Sequence, residues 1–304
     1  VRVAAIDCGT NSIRLLVADV DDGTLVDVRR EMRIVRLGQG VDRTGRLAAE
    51  ALERTRQALA DYAATIRGLG AERVRMVATS ATRDAANRAD FVAMVHAELG
   101  VEPEVITGQE EAALSFAGAA SVLPDARGTL LVADIGGGST ELVRGERGGT
   151  LQAYSMDVGC VRMTERHLRS DPPTPEQVVA TVADLRAAVA EARAHVRLDG
   201  DATFVGVAGT VTTVAAIALG LQAYEPERIH GARISAAQVD EVTERLLHMT
   251  HAERAALPVM HPGRVDVIGG GALVLSTLLA EVGAPAVIAS EHDILDGIAL
   301  GVAH

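Results

Sequence analysis

Apolar positions along this chain gather in runs short enough for strands, and the first three such runs lie back to back. Residues 2–7, 12–20 and 24–36 are rich in apolar and β-branched side chains, and the DDG at 21–23 joins the second and third as a hairpin. The period then changes. In LAAEALERTRQALADYAATI, Leu47, Leu52, Thr55, Leu59, Tyr62 and Ile66 recur at helical spacing, so one apolar stripe runs the length of a helix. Strand and helix alternate from there, with a strand at 73–79, a helix at 85–99, a strand at 101–107 with Pro103 near its start, and a helix in EEAALSFAGAAS.

The second half repeats that order. TLLVADI, TELVRG and TLQAYSMDVG read as three strands, with ERGG turning the chain between the last two. Helices follow at 160–169 and 174–196, the second opened by Thr174 as N-cap and Pro175 at the first helical position. TFVGVAG is the next strand and enters a helix at Thr210, while PAVIAS and DILDGIALGVA form a last strand and helix. The pattern predicts an α/β fold made by duplication. Residues 1–123 plus 286–304 form the first domain, to which the last helix returns, and 124–285 the second, with the boundary at the PDARG turn of 124–128.

Composition narrows the picture. At 304 residues and 48% hydrophobic, the chain is long enough for two cores of about 150 residues each. Aromatics are only 2%, so Val, Leu, Ile and Ala must fill those cores. A net charge of −12 argues against nucleic acid or an anionic membrane as partner, since both call for a basic face. The sequence has no Lys, which excludes a P-loop, and any polyanion must be held by Arg, backbone or metal. Two cysteines without CxxC spacing fit a reducing, cytoplasmic setting, and the chain enters its first strand without a signal-like segment. The uncharged stretch at 205–224 is interrupted by Gly209 and threonines, which favour a buried strand, turn and helix over a membrane span. The nine His residues show no zinc spacing.

Candidate chemistry lies in the repeated loop. DCGTNS at residue 7 and DIGGGST at residue 134 each follow an apolar strand with an Asp, glycine and hydroxyls before a second strand. Such a turn presents backbone N–H groups that bind phosphate oxygens, and an Asp at the strand end suits a hydrated Mg²⁺, which takes few carboxylates plus water and phosphate. Alone, either loop reads equally well as an ordinary turn. Their recurrence at equivalent places points to phosphate.

DCGTNSIRLLVADV, VATSATRDAANR, VITGQEEAALSF, DIGGGSTELV, GVAGTVTT and HPGRVDVIGGG together resemble the exopolyphosphatase and guanosine pentaphosphate phosphatase family, in order and over nearly the whole chain. The resemblance implies two ribonuclease-H-like domains of the actin-like ATPase superfamily with an interdomain active-site cleft, in the short bacterial form without extra C-terminal domains. It implies a Mg²⁺-dependent (or Mn²⁺-dependent) hydrolase releasing orthophosphate from polyphosphate, or the terminal phosphate from guanosine pentaphosphate, in a homodimer linked to the stringent response. By the same resemblance Glu111 is the catalytic base with Glu110 as understudy, although both also suit a helix N-terminus. Arg83 neutralises a terminal phosphate, and Asp134, Glu141 and Asp7 surround the metal. Gly9, Thr10, Asn11, Ser12, Gly136, Gly137, Gly138, Ser139, Thr140, Gly209 and Thr210 form the phosphate loops. Arg14, Arg88 and Arg264 are weaker candidates, equally suited to surface ion pairs. Leu295 stands where the family commonly carries Arg, and Cys8 lies inside the first loop. A kinase or ATPase switch and a non-catalytic polyphosphate or alarmone sensor are the rivals on the same fold.

Overall fold

Strand β1, Arg2–Cys8, is apolar on both faces, and the structure explains why. Ala4, Ile6 and Cys8 face one core with Ile13, Leu15, Leu59 and Tyr62, while Val3 and Ala5 face another with Leu16, Val77, Leu295 and Ile298. A strand covered on both faces reads as a continuous apolar run. In this computed structural model, which describes residues 1–121 and 128–302, the chain falls into two compact units. One comprises Val1–Gly118 and the chain from Asp293 onward, the other Ala119–His292.

The first unit is built on one mixed sheet. Strands β2 (Ser12–Asp21), β3 (Thr24–Ile34), β4 (Arg73–Ala78) and β5 (Glu104–Val105) join β1 in the order β3-β2-β1-β4-β5. β2 and β3 run antiparallel, and β4 lies parallel to β1. Asp22 and Gly23, at φ 48° and 75°, make the β2–β3 connection a turn whose twist matches the strands. The helix Ala49–Leu69 buries Thr55, Leu59, Tyr62 and Ile66 along its stripe, and the Tyr62 hydroxyl donates to the carbonyl of Ile13 at 3.0 Å. Its other face stays polar. The predicted helix at 85–99 is Arg88–Leu99, and a short helix, Ser80–Asp84, precedes it without a forecast. The strand predicted at 101–107 shrinks to Glu104–Val105: Pro103 has no N–H to extend the ladder at its start, and its partner β4 ends at Ala78, opposite Val105. The last helix, Ile294–Val302, covers the second face of this sheet.

The second unit repeats the topology and extends it. Strands β6 (Leu130–Ile135), β7 (Thr140–Gly145), β8 (Gln152–Met156), β9 (Thr203–Val207), β10 (Arg233–Ser235) and β11 (Ala286–Ala289) pair in the order β10-β11-β9-β6-β7-β8. Apart from the added edge strand β10, this is the ribonuclease-H-like order of the first sheet. Helix Pro175–Ala192 opens with the expected cap, a reciprocal pair between Thr174 and Gln177. Strand β10 and the helices Ala236–His248 and Ile268–Val282 had no forecast. GGG at the head of the last of these looks unlike a helix, but a Cβ on Gly270 would meet Thr164 Oγ1 at 2.6 Å and the Cys160 carbonyl at 2.9 Å, so packing requires the glycine. Of the PDARG turn, residues 124–127 lie outside the described residues. Residues 208–218 of the uncharged stretch form a helix, and among the described residues no helix is long and apolar enough to cross a membrane.

Candidate active site

Each sheet carries its repeated loop at the same place, between the first two strands. Gly9 N–H donates to the Ser12 carbonyl at 2.9 Å, and Gly136 N–H to the Ser139 carbonyl at 3.0 Å, so the two loops are closed by the same bond. Their carbonyls are held by other segments. In the first unit Thr10 O accepts from Gly38 N–H at 2.8 Å, and Asn11 O accepts from Val35 and Arg36 N–H at 3.1 and 2.9 Å. In the second, Gly136 O accepts from Cys160 N–H at 3.0 Å, Gly137 O from Val161 and Arg162 N–H at 2.9 and 3.0 Å, and Gly138 O from Arg162 Nε at 2.7 Å. With the carbonyls committed, what the loops offer a ligand is N–H, the polarity an anion needs.

Two glycines outside the loops make this bracing feasible. A Cβ on Gly38 would collide with Thr10 Cγ2, and one on Gly159 would stand 2.5 Å from Gly137 O and 2.8 Å from Gly136 O. Neither glycine nor Arg162 was singled out from sequence, because nothing local distinguishes a turn glycine from one that lets a distant backbone approach. Thr10 Oγ1 meets Ser80 Oγ at 3.0 Å. Thr140, read as part of the phosphate loop, is fully buried and gives its hydroxyl to the Val158 carbonyl at 2.7 Å, so it fastens the loop's exit.

The acids beside the loops differ. Asp7 pairs across the sheet with Arg14, and Asp134 pairs in the same register with Glu141. Directly opposed residues share one face of an antiparallel pair. Arg14 Nη2 lies 2.6 Å from Asp7 Oδ2, and Arg14 Nη1 binds Asp293 as well. Burial works against the charged guanidinium, yet Asp293 and Asp7 outweigh it and hold its pKa well above normal. Burial likewise lifts the Asp7 pKa above the usual carboxylate range, with Arg14 opposing. In the second unit the residue directly across the sheet from the acid is itself a carboxylate: Asp134 and Glu141 are 6% and 0% exposed, and Ser155 donates to Glu141 Oε1 at 2.6 Å.

Glu110 and Glu111 part company at the start of helix Gly108–Ser121. Thr107 N–H and Oγ1 each donate to Glu110 Oε2 at 2.8 Å, and Glu110 N–H donates back to Thr107 Oγ1 at 3.2 Å, a capping box. The Thr107 N–H first, then its hydroxyl, hold the Glu110 carboxyl below its ordinary pKa. Glu111 instead points inward, 7% exposed, and accepts from Arg83 Nη1 at 3.1 Å. The same Nη1 donates to the Ile106 carbonyl at 2.9 Å, which fixes the guanidinium beside the carboxylate.

Gly209 and Thr210 open the helix Ala208–Ala218, whose first residue has φ 71°, a conformation unfavourable for a residue with a Cβ. Arg264 Nη1 donates to Gly209 O at 2.9 Å and Thr213 Oγ1 at 3.1 Å, and its guanidinium fills the space a Cβ on Gly209 would need. Arg88 is exposed at a helix start. Leu295 is a core residue of the first unit, while the next residue, Asp296, takes Arg30 Nη2 at 2.6 Å. Burial, then Asp7, pushes the Cys8 thiol well above its ordinary pKa, which removes its nucleophilic form.

Residues 16–304 match the model of the Ppx/GppA phosphatase family. The chain belongs to that family. It is 54% identical over 315 residues to Exopolyphosphatase 2 of Mycobacterium tuberculosis, covering 99% of this chain and 98% of that protein. It is 32% identical over 308 residues to a bifunctional 3-dehydroquinate synthase/phosphatase of Fusobacterium nucleatum, of which it covers 46%. Among solved structures, an exopolyphosphatase-like protein superposes with a TM-score of 0.96 at 48% identity, covering 99% of this chain and 97% of the other. The Ppx/GppA family member of Aquifex aeolicus gives 0.82 at 32%, covering 99% and 96%. Family membership and the ribonuclease-H-like sheets thus agree with the resemblance read from the motifs.

Proposed function

We propose that this protein hydrolyses the terminal phosphoanhydride bond of inorganic polyphosphate and releases orthophosphate. The observation that carries the reading is its end-to-end similarity to Exopolyphosphatase 2. Water attacks the terminal phosphorus, the bond to the bridging oxygen breaks, and Glu111 accepts the proton that water loses. Burial beside Arg83 keeps the Glu111 carboxylate in one orientation. The loops at Gly9–Ser12 and Gly136–Ser139 donate N–H to phosphate oxygens, and Arg83 adds positive charge where negative charge develops. Glu110 has a structural part, as the cap of its helix.

Asp134 and Glu141 are the residues suited to a divalent cation. Among the described residues no group of three or more metal-ligating side chains occurs, which fits Mg²⁺, a cation held by one or two carboxylates with water and phosphate filling the rest. Bound there, Mg²⁺ supplies charge neutralisation at phosphate oxygens. Asp7 is less suited, since Arg14 already engages it.

A phosphate-release assay with short polyphosphate, long polyphosphate, guanosine pentaphosphate and ATP, each with and without Mg²⁺, tests the reading. Release from polyphosphate in the presence of Mg²⁺ is expected. Release from guanosine pentaphosphate alone would transfer the reading to that substrate, and turnover of ATP alone would replace it by the nucleotide switch.

A further inference from the structure

Glu141 and Arg144 lie on opposite faces of the second sheet, three positions apart on β7 and thus about 10 Å along the strand. Arg144 is 9% exposed, and Nη1 donates to the carbonyls of Asp199 at 3.1 Å and Arg197 at 3.4 Å. Among the described residues no carboxylate forms a salt bridge with it; Asp199 lies close enough that its carboxyl is held below the ordinary range by its own backbone N–H, by Arg197 and, least, by Arg144. A nearly buried guanidinium whose near acid, Asp199, is exposed and shared with Arg197 is costly, and carbonyls only partly offset that cost.

A second guanidinium converges on the same place. A Cβ on Gly200 would stand 3.6 Å from Arg144 Nη2 and 3.3 Å from Arg197 Nη2. Gly200 has φ 102°, so the turn that brings the two together depends on glycine. Both arginines line a surface depression of about 460 Å³ with Thr129, Thr150, Gln152 and Glu146. Gln152 Oε1 already accepts from Arg197 N–H at 2.9 Å, which leaves its amide N–H groups to offer. Acids are present but weakly opposed: Glu146 takes the Thr129 hydroxyl at 3.2 Å, and Asp199 meets Arg197 Nε at 3.3 Å with both side chains 63% or more exposed.

We propose that this depression is a second phosphate-binding site, separate from the candidate active site, in which Arg144 and Arg197 grip one tetrahedral oxyanion. Paired planar guanidinium forks match phosphate oxygens better than isolated charges do. The phosphate is either free orthophosphate or one unit of a longer polyphosphate.

Crystals soaked in tungstate should show an anomalous peak within hydrogen-bonding reach of both guanidinium groups. In solution, calorimetric titration of orthophosphate into wild type, Arg197→Gln and Arg144→Gln should show one binding event weakened at least about tenfold in each variant. Arg197 is exposed, so the melting temperature of Arg197→Gln should match wild type. Equal affinity for orthophosphate and tripolyphosphate assigns the site to the free anion, and a marked preference for tripolyphosphate assigns it to the polymer. If no peak appears at these arginines and Arg197→Gln binds phosphate as wild type does, the proposal fails, and Arg144 merely braces the turn at 197–200. That bracing alone predicts a lower melting temperature for Arg144→Gln with unchanged phosphate binding.

Discussion

Arg14 and Glu141 occupy the same place in two copies of one hairpin, each directly across the sheet from the Asp that precedes its loop. The substitution reverses the local charge. Arg14 satisfies Asp7, whereas Glu141 adds a second buried carboxylate beside Asp134, an arrangement that favours a cation. Glu141→Gln should therefore raise the Mg²⁺ concentration for half-maximal phosphate release by about 10–100-fold. Asp7→Asn should leave that concentration nearly unchanged. A metal titration of the two variants decides it, and the reverse pattern would move the cation to the first loop.

The two acids of GQEEA should separate cleanly. Glu111→Gln should remove most phosphate release, by about 10²–10⁴-fold, with little change in stability. Glu110→Ala should keep turnover and lower stability by roughly 0.5–1 kcal/mol, the low end for a cap because Glu110 is exposed. The folded-state pKa of Glu110 is depressed, so its contribution is present above the ordinary carboxylate range and is lost as pH falls through the folded value. Urea unfolding curves of wild type and Glu110→Ala should then differ at pH 7 and converge in strong acid.

Ala208 holds a left-handed backbone at φ 71° at the head of the helix that carries Gly209 and Thr210. Glycine adopts that conformation without the Cβ clash, so Ala208→Gly should raise stability by up to about 1 kcal/mol. Destabilisation by a similar amount in chemical denaturation would show that the Ala208 methyl group contributes more by packing than its backbone costs.

Gly159→Ala places a methyl group against the Gly136 and Gly137 carbonyls. Overpacking of this kind costs about 1–3 kcal/mol, and here the loop is the part that must shift. kcat/KM should fall far more than the loss of folded protein accounts for. Steady-state kinetics on the folded fraction, measured beside a thermal melt, test this.

Much of the architecture could be read in advance because its signals are local. Apolar, β-branched runs and the DDG turn announced β1, β2 and β3, and the stripe from Thr55 to Ile66 announced its helix. The capped start at Thr174 was equally plain. Elements whose form depends on distant partners were not legible. Gly270 sits in a helix because Cys160 and Thr164 come close, and β5 stops at Val105 because its partner β4 ends opposite it at Ala78. The same division runs through the candidate site. The repeated Asp-Gly loops are visible as sequence, but the split between Glu110 and Glu111 follows from which side of a helix meets Arg83, and the engagement of Asp7 follows from register with Arg14.

Both loops hang by their carbonyls from chain segments that carry no chemistry of their own, Val35–Gly38 in one unit and Cys160–Arg162 in the other. The sequence tolerance of the loops is therefore shared with these remote anchors. A one-residue deletion at 35–38 should abolish turnover although no loop residue has changed, whereas the same deletion at the exposed β2–β3 turn should be borne. Variation among relatives that spares every loop residue can in this way still retune how a phosphate is held.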